Sequence, residues 1–241
     1  MNYIEESILN KVNKHTVTAF TMADMCPVND CGGDILGYVC LHNKDLNLDV
    51  IEFIALLENS NVSVVDNVTN TTPLINIFKV NQRHNLNLDN SHFQKIISYG
   101  VNIDFMDTDD FSALSLAFTN NFTENLNLSE TMWEQLINNT NLERLYRANH
   151  FGTNTSPLFQ YIYNKNYEKI NLSEPLIEYL FKNSDIDICE YHLRTLVKEQ
   201  KHQYYSEINN EYLILKEKFM LNKNLNAIRP DNLQNKKMHK I

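Results

Sequence analysis

Leu86-Asn87-Leu88-Asp89 returns as Leu126-Asn127-Leu128-Ser129, has a forerunner in Leu46-Asn47-Leu48-Asp49, and appears once more as Ile170-Asn171-Leu172-Ser173. The intervals are 40, 40 and 44 residues. A second anchor lies upstream of each copy: Asp34-Ile35-Leu36, Thr72-Pro73-Leu74, Ser112-Ala113-Leu114 and Ser156-Pro157-Leu158, with leucines 38, 40 and 44 residues apart. Two independent anchors that keep one period mark a tandem repeat, because chance matches do not stay in register.

Working outward from the anchors, each unit reads as two helices and an extended segment. Thr72, Ser112 and Ser156 are N-cap types, whose hydroxyls accept the unpaired N–H groups of a first helical turn. Pro73 and Pro157 then sit at the first helical position, where a missing N–H costs nothing. A short apolar helix follows, with Leu74, Ile75, Ile77 and Phe78 in one unit and Leu114, Leu116, Ala117 and Phe118 in the next. Asp49, Asp89, Ser129 and Ser173 cap the second helices. Their apolar stripes have three-four spacing: Val50, Phe53, Ile54 and Leu57; Phe93, Ile96 and Ile97; Met132, Trp133, Leu136 and Ile137; Leu176, Ile177, Leu180 and Phe181. The leucines before each cap are expected to fold inward on the helix pair. Gly100 suits the left-handed residue that ends a helix, and residues 100–107 then read as a short β-like segment, with counterparts at 61–66, 141–146 and 185–190.

Two helices and an extended turn in tandem resemble the ankyrin-repeat family. The likeness is closest at Asn102-Ile103-Asp104-Phe105-Met106-Asp107 followed by Ser112-Ala113-Leu114-Ser115-Leu116-Ala117, which look like that family's finger and its Thr-Pro-Leu-His-x-Ala helix start. Thr72-Pro73-Leu74 and Ser156-Pro157-Leu158 match the same start, and residues 32–36 do so more weakly. The chain departs from the family in its period, near 40 rather than about 33, with the extra residues between the two helices at 81–87 and 121–127. Asp110 replaces the finger glycine, and Asn76, Ser115 and Gln160 replace the histidine. The resemblance implies an all-α fold, a helical repeat solenoid of ankyrin-like helix-turn-helix units with short β-like finger loops. Other two-helix solenoids with periods near 40 are the alternative. The expected layout is an N-terminal capping helical region at 1–30, about four repeats at 31–195, a capping helix at 196–221 and a disordered polar tail at 222–241. The stripes Ile4, Ile8, Leu9, Val12 and Ile208, Tyr212, Leu215, Phe219 read as caps over the ends of the stack.

The bulk numbers bound the function. Of 241 residues, 43% are hydrophobic and the formal net charge is -9. An acidic chain repels nucleic-acid phosphates, so a protein partner with a basic surface fits better than a nucleic acid, with a mild negative charge that serves solubility alone as the other reading. Gly and Pro number 5 each, too few for a loop-rich or all-β fold. No apolar run approaches the ~18–20 residues that span a bilayer, so no membrane partner is expected. The N-terminus lacks the apolar core of a signal peptide. A cytoplasmic chain is therefore expected, or one delivered into a host cell without a cleaved signal. The cysteines, Cys26, Cys31, Cys40 and Cys189, are then expected to be reduced. Asn-x-Ser/Thr triplets at Asn61, Asn67, Asn121 and Asn171 follow from the 36 asparagines alone.

Specific chemistry has little footing. Cys26, Cys31, Cys40 and His42 have a spacing slightly wider than a zinc pair and no second tight pair. The 8 histidines sit in no nucleophile–base signature. Asp104, Asp107, Asp109 and Asp110 lack the glycine and terminal glutamate of a calcium loop; a solvated finger tip, a partner contact and a weak cation site are the competing readings. No glycine-rich phosphate loop occurs. The expectation is therefore no enzyme, no cofactor and no metal.

In ankyrin-type arrays partners lie along the concave face formed by fingers and first helices, which is what the resemblance implies here. Interface hot spots favour Trp, Tyr and Arg. The candidate partner-binding residues are Phe105, Met106, Asp109 and Phe111 on one finger, and Arg144, Tyr146, Arg147 and His150 on the next. A non-enzymatic interaction module is the first functional reading. Divergent Asn-rich chains of this kind resemble effectors that intracellular bacteria deliver to act on a host protein. Small acidic repeat proteins also resemble immunity proteins that neutralise a basic toxin. An enzyme on a repeat scaffold and an architectural subunit complete the alternatives.

Overall fold

Capping side chains start the helices where the anchors stand. In the computed structural model, which describes residues 3–15, 38–39, 46–59, 65, 70–79, 90–121, 126–148, 151–200 and 203–228, Thr72 Oγ1 accepts from Ile75 N at 3.3 Å. Ser156 Oγ accepts from Phe159 N at 3.2 Å, and Ser129 Oγ from Met132 N at 3.4 Å. Ser112 and Ser115 form a reciprocal capping box, as do Asp49 and Glu52. Ser173 makes no side-chain cap bond; Pro175 follows in its first turn.

The described elements are α1 (Tyr3–His15), α2 (Val50–Asn59), α3 (Pro73–Lys79), α4 (Asn90–Ser98), α5 (Ala113–Asn120), α6 (Glu130–Asn138), β1 (Tyr146–Arg147), β2 (Asn154–Thr155), α7 (Pro157–Asn164), α8 (Glu174–Asn183), α9 (Ile186–Gln200) and α10 (Gln203–Ile228). The chain is mostly helical, with one small antiparallel pair in which Tyr146 faces Thr155 and Arg147 faces Asn154. Two rows of helices run through it. The first helices pack in chain order, α3 on α5, α5 on α7 and α7 on α9, and the second helices pack α4 on α6, α6 on α8 and α8 on α10. α1 packs on α2.

Apolar and polar contacts repeat between units. Phe78 stacks on Phe93 within one helix pair and Phe118 on Trp133 within the next, at 5.6 and 5.2 Å between centroids. The residues that open α4 and α6 each accept the cap amide of the following second helix. Ser129 N donates to Asn90 Oδ1 at 2.8 Å, and Ser173 N donates to the Glu130 carboxylate at 3.1 Å. The paired leucines fold inward as expected. Leu46, Leu48, Leu126, Leu128, Ile170 and Leu172 are all buried. Asn47 and Asn127 between them adopt left-handed φ of 54° and 45°, a region that Asn tolerates better than most residues. At the N-terminal end Ile8 and Val12 are buried. Lys11 Nζ and Ser7 Oγ donate to the carboxylate of Glu52 at 2.6 Å each, tying α1 to α2.

Two expectations are corrected. The β-like segment expected at 185–190 is the start of α9. Asp185 accepts from Ile188 N at 3.0 Å as a cap, and Cys189 and Leu193, four residues apart, are buried on the helix face beneath. The stack therefore ends in a helical pair, α9 and α10, instead of a fourth finger and one helix at 196–221. α10 also runs on to Ile228, past the point where a disordered tail was expected to begin. The expected first anchor at 34–36, the inserted segment at 81–87, Asp89, and the rest of the tail lie outside the described residues.

Candidate interaction surface

Two fingers stand between the helix pairs, at 101–112 and 141–156. Asp107 organises the first. It is buried, and its Oδ1 accepts from the amides of Asp109 and Phe111 at 2.9 Å each, while its own amide donates to Phe111 O at 3.0 Å. Its second oxygen takes Lys79 Nζ at 3.0 Å, and the same ammonium reaches Asp109 at 3.0 Å. Burial alone would push Lys79 down, but the two carboxylates outweigh it and hold the ammonium above its ordinary range. Lys79 thus ties the end of α3 to the finger of the next unit. Asp110 adopts a left-handed φ of 64°.

The fingers are bonded to each other. Arg147 N donates to Asp110 O at 2.8 Å, Asn141 N to Asp104 Oδ1 at 2.7 Å, and Asn154 Nδ2 to Asp110 Oδ2 at 3.3 Å. The Tyr146 hydroxyl lies between Asp104 Oδ1 and Asn141 O, at 3.1 and 2.9 Å. Burial first, and then the Asp104 charge, raise its pKa above the ordinary tyrosine range, so it stays a neutral donor. Arg144 pairs with Asp104 at 3.3 Å.

The candidate residues separate by exposure. Asp109, Arg144 and Arg147 are exposed; Phe105 and Met106 are half-buried, Phe105 packing against the core. Tyr146 and Phe111 are buried, and both serve inside the finger. Phe111 is covered by two cations, with Lys79 Nζ at 5.3 Å and the Arg147 guanidinium at 5.8 Å from its ring centre. His150 lies outside the described residues. The helix half of the expected face is not open either. Every residue of α3 up to Phe78, every residue of α5, and α7 through Ile162 are buried. These helices are apolar nearly all round, which is the pattern of a helix enclosed on all sides rather than one with a solvent face. Of the expected face, it is the finger edge that is exposed among the described residues.

Asn76, Gln160 and Ser115 each hydrogen-bond a residue outside their own helix. Thr71 Oγ1 donates to Asn76 Oδ1 at 2.7 Å, Gln160 Nε2 donates to Tyr146 O at 2.9 Å, and Ser115 Oγ donates to Ser112 O at 2.9 Å. Of the acidic cluster, Asp104 and Asp107 serve the fold, and Lys79, which sequence reasoning passed over, neutralises two of its carboxylates. The signal was a lone lysine at the end of an apolar helix, which reads equally well as a helix C-terminal charge.

Elsewhere among the described residues, Cys189, His192 and Glu190 are enclosed or paired. Cys189 is buried and its thiol is pushed up to about 12 by that burial, the opposite of an activated nucleophile. His192 is half-buried against the Phe159 ring at 5.1 Å, and burial lowers its pKa. A cleft of about 140 Å³ between α9 and α10 contains Glu190, Arg194, Tyr212 and Lys216. There Lys216, Arg194 and the Tyr212 hydroxyl all converge on Glu190; Lys216 above all holds the carboxyl below the ordinary range. Among the described residues no three His, Cys, Asp or Glu side chains are placed to hold a metal ion, and no helix is long and apolar enough to cross a membrane. Cys26, Cys31, Cys40 and His42 lie outside them. No protein-family model matches the sequence, and comparison with curated proteins finds no match.

Proposed function

We propose that this chain is an ankyrin-like repeat solenoid that binds another protein along its finger edge and acts through that contact without chemistry of its own. The observation that carries the reading is the bonding between the fingers. Arg147 N to Asp110 O and Asn141 N to Asp104 Oδ1 join two units into one edge, from which Asp109, Arg144 and Arg147 project. A surface fixed before binding loses little conformational entropy when a partner arrives. The net charge of -9 favours a partner with a basic surface. Both biological settings, an effector meeting a host protein and an immunity protein meeting a basic toxin, use such a surface.

The test is an affinity capture from host-cell and native-cell lysates, run with the wild type beside a variant carrying Met106→Ala, Arg144→Ala and Arg147→Ala. A single partner held by the wild type and lost by the still-folded variant supports the finger edge. A partner held equally by both places the interface elsewhere. The lysate that supplies the partner separates the two settings.

A further inference from the structure

We propose that the outer face of α9 is a self-complementary docking surface for a second copy of this chain, paired antiparallel. The exposed side chains described on α9 are Asp187, Tyr191, Arg194 and Lys198. Their spacing of four, three and four residues places them along one helix face. The opposite face is occupied: α9 packs on α7, α10 and β2, with Cys189 and Leu193 buried beneath it. Tyr191 is 64% exposed and the Arg194 side chain 76% exposed.

The order of these four residues sets the partner. Asp187 and Lys198 stand equally far from the middle of the face, and so do Tyr191 and Arg194. A two-fold axis through that middle brings each Asp187 against the second copy's Lys198 and each Tyr191 against its Arg194. Three-four spacing is the geometry that brings such positions together across an antiparallel helix pair. The result is a carboxylate–ammonium pair at each end and, twice, a guanidinium against an aromatic ring, an attractive arrangement in its own right. Glu190 already holds the Arg194 guanidinium at 2.6 Å, one turn back on the same helix, so the cation is oriented before docking. Among the described residues Asp187 and Lys198 enter no ion pair. Leu213, 49% exposed and lining the same cleft as Arg194, adds an apolar wall beside the seam. A parallel pairing sets Asp187 on Asp187 and Lys198 on Lys198, so the charges select the antiparallel one.

One helix face about 22 Å long is a small interface, and the association is expected near ~100 µM. Sedimentation equilibrium of the full chain, loaded up to ~0.5 mM at low and high salt, tests it. The expected result is a monomer–dimer equilibrium that weakens with salt. Asp187→Lys alone and Lys198→Asp alone each weaken it about tenfold, and the two together restore it to within about threefold of the wild type. Far-UV circular dichroism checks that each variant is folded. A wild type that stays monomeric throughout overturns the proposal. So does a dimer untouched by Asp187→Lys, or a double variant that stays as weak as the single ones.

Discussion

The backbone at Asp110 shows how a residue other than glycine holds a left-handed turn. Its φ of 64° lies where glycine is at ease and a side chain is crowded. Aspartate tolerates this region better than most residues, and here its carboxylate also takes Asn154 Nδ2 at 3.3 Å. Asp110→Gly removes the crowding and one exposed hydrogen bond, so its net effect is expected within about 0.5 kcal/mol of zero. Asp110→Val keeps the crowding, adds a branch at Cβ and loses the bond, and is expected to cost about 2 kcal/mol. Urea unfolding midpoints check the pair. If valine proves as stable as glycine, the left-handed turn at 110 is not what the finger depends on. The sequence alone places a finger turn here because the helix start at Ser112 fixes the register. It does not say which of four nearby aspartates is buried. That choice is made by Lys79, 28 residues before Asp107, and a contact over that distance leaves no trace in local spacing.

At the scale of elements, caps and three-four stripes were legible because they are local physics. Thr72, Ser112, Ser129 and Ser156 all receive the amide that an N-cap residue should receive. Exposure was less legible. The open first-helix face was expected from the resemblance alone, whereas all of α5 is buried, as residues apolar nearly all round a helix imply. Tyr146 was ambiguous in the sequence: a tyrosine in a finger fits an interface hot spot as well as it fits the internal hydrogen bonds it makes. The docking of α1 on α2 yields a pH prediction. Burial by itself pushes Glu52 up, but bonds from Lys11, Ser7 and the Asp49 amide outweigh it and hold the carboxyl below its ordinary value of 4.5. A carboxyl depressed by folding stabilises the fold above its unfolded pKa. That contribution fades as pH falls below about 4.5. Glu52→Gln is expected to cost about 1 kcal/mol at pH 7 and to lose less further stability than the wild type between pH 4.5 and 3. Parallel losses in the two proteins across that window would show that Glu52 does not couple α1 to acid.

Among the described residues, the helices of each row contact their neighbours in chain order. α5 touches α3 on one side and α7 on the other, and α7 in turn touches α9. Side-chain bonds follow the same nearest-neighbour rule, as at Asn90 with Ser129 and Glu130 with Ser173. The repeat array proposed for this chain predicts a stability close to the sum of its units and the interfaces between them, with a lesion in one unit spreading by weakening the interfaces on either side. Leu116 is fully buried in α5, midway along the first-helix row. Leu116→Ala leaves a cavity there and is expected to cost about 3 kcal/mol. Trp133, the single tryptophan, is buried in α6 against Phe118 and reports that loss by fluorescence. Hydrogen exchange reports where it travels. Protection of amides in α3 and α7 should fall together with that of α5, while α1 and the far end of the stack lose less. A uniform loss along the chain would mean that the rows fold as one cooperative core. Loss confined to α5 and α6 would mean that the interfaces between units carry little of the stability, and the finger edge would then lack the rigid support that its bonding between units implies.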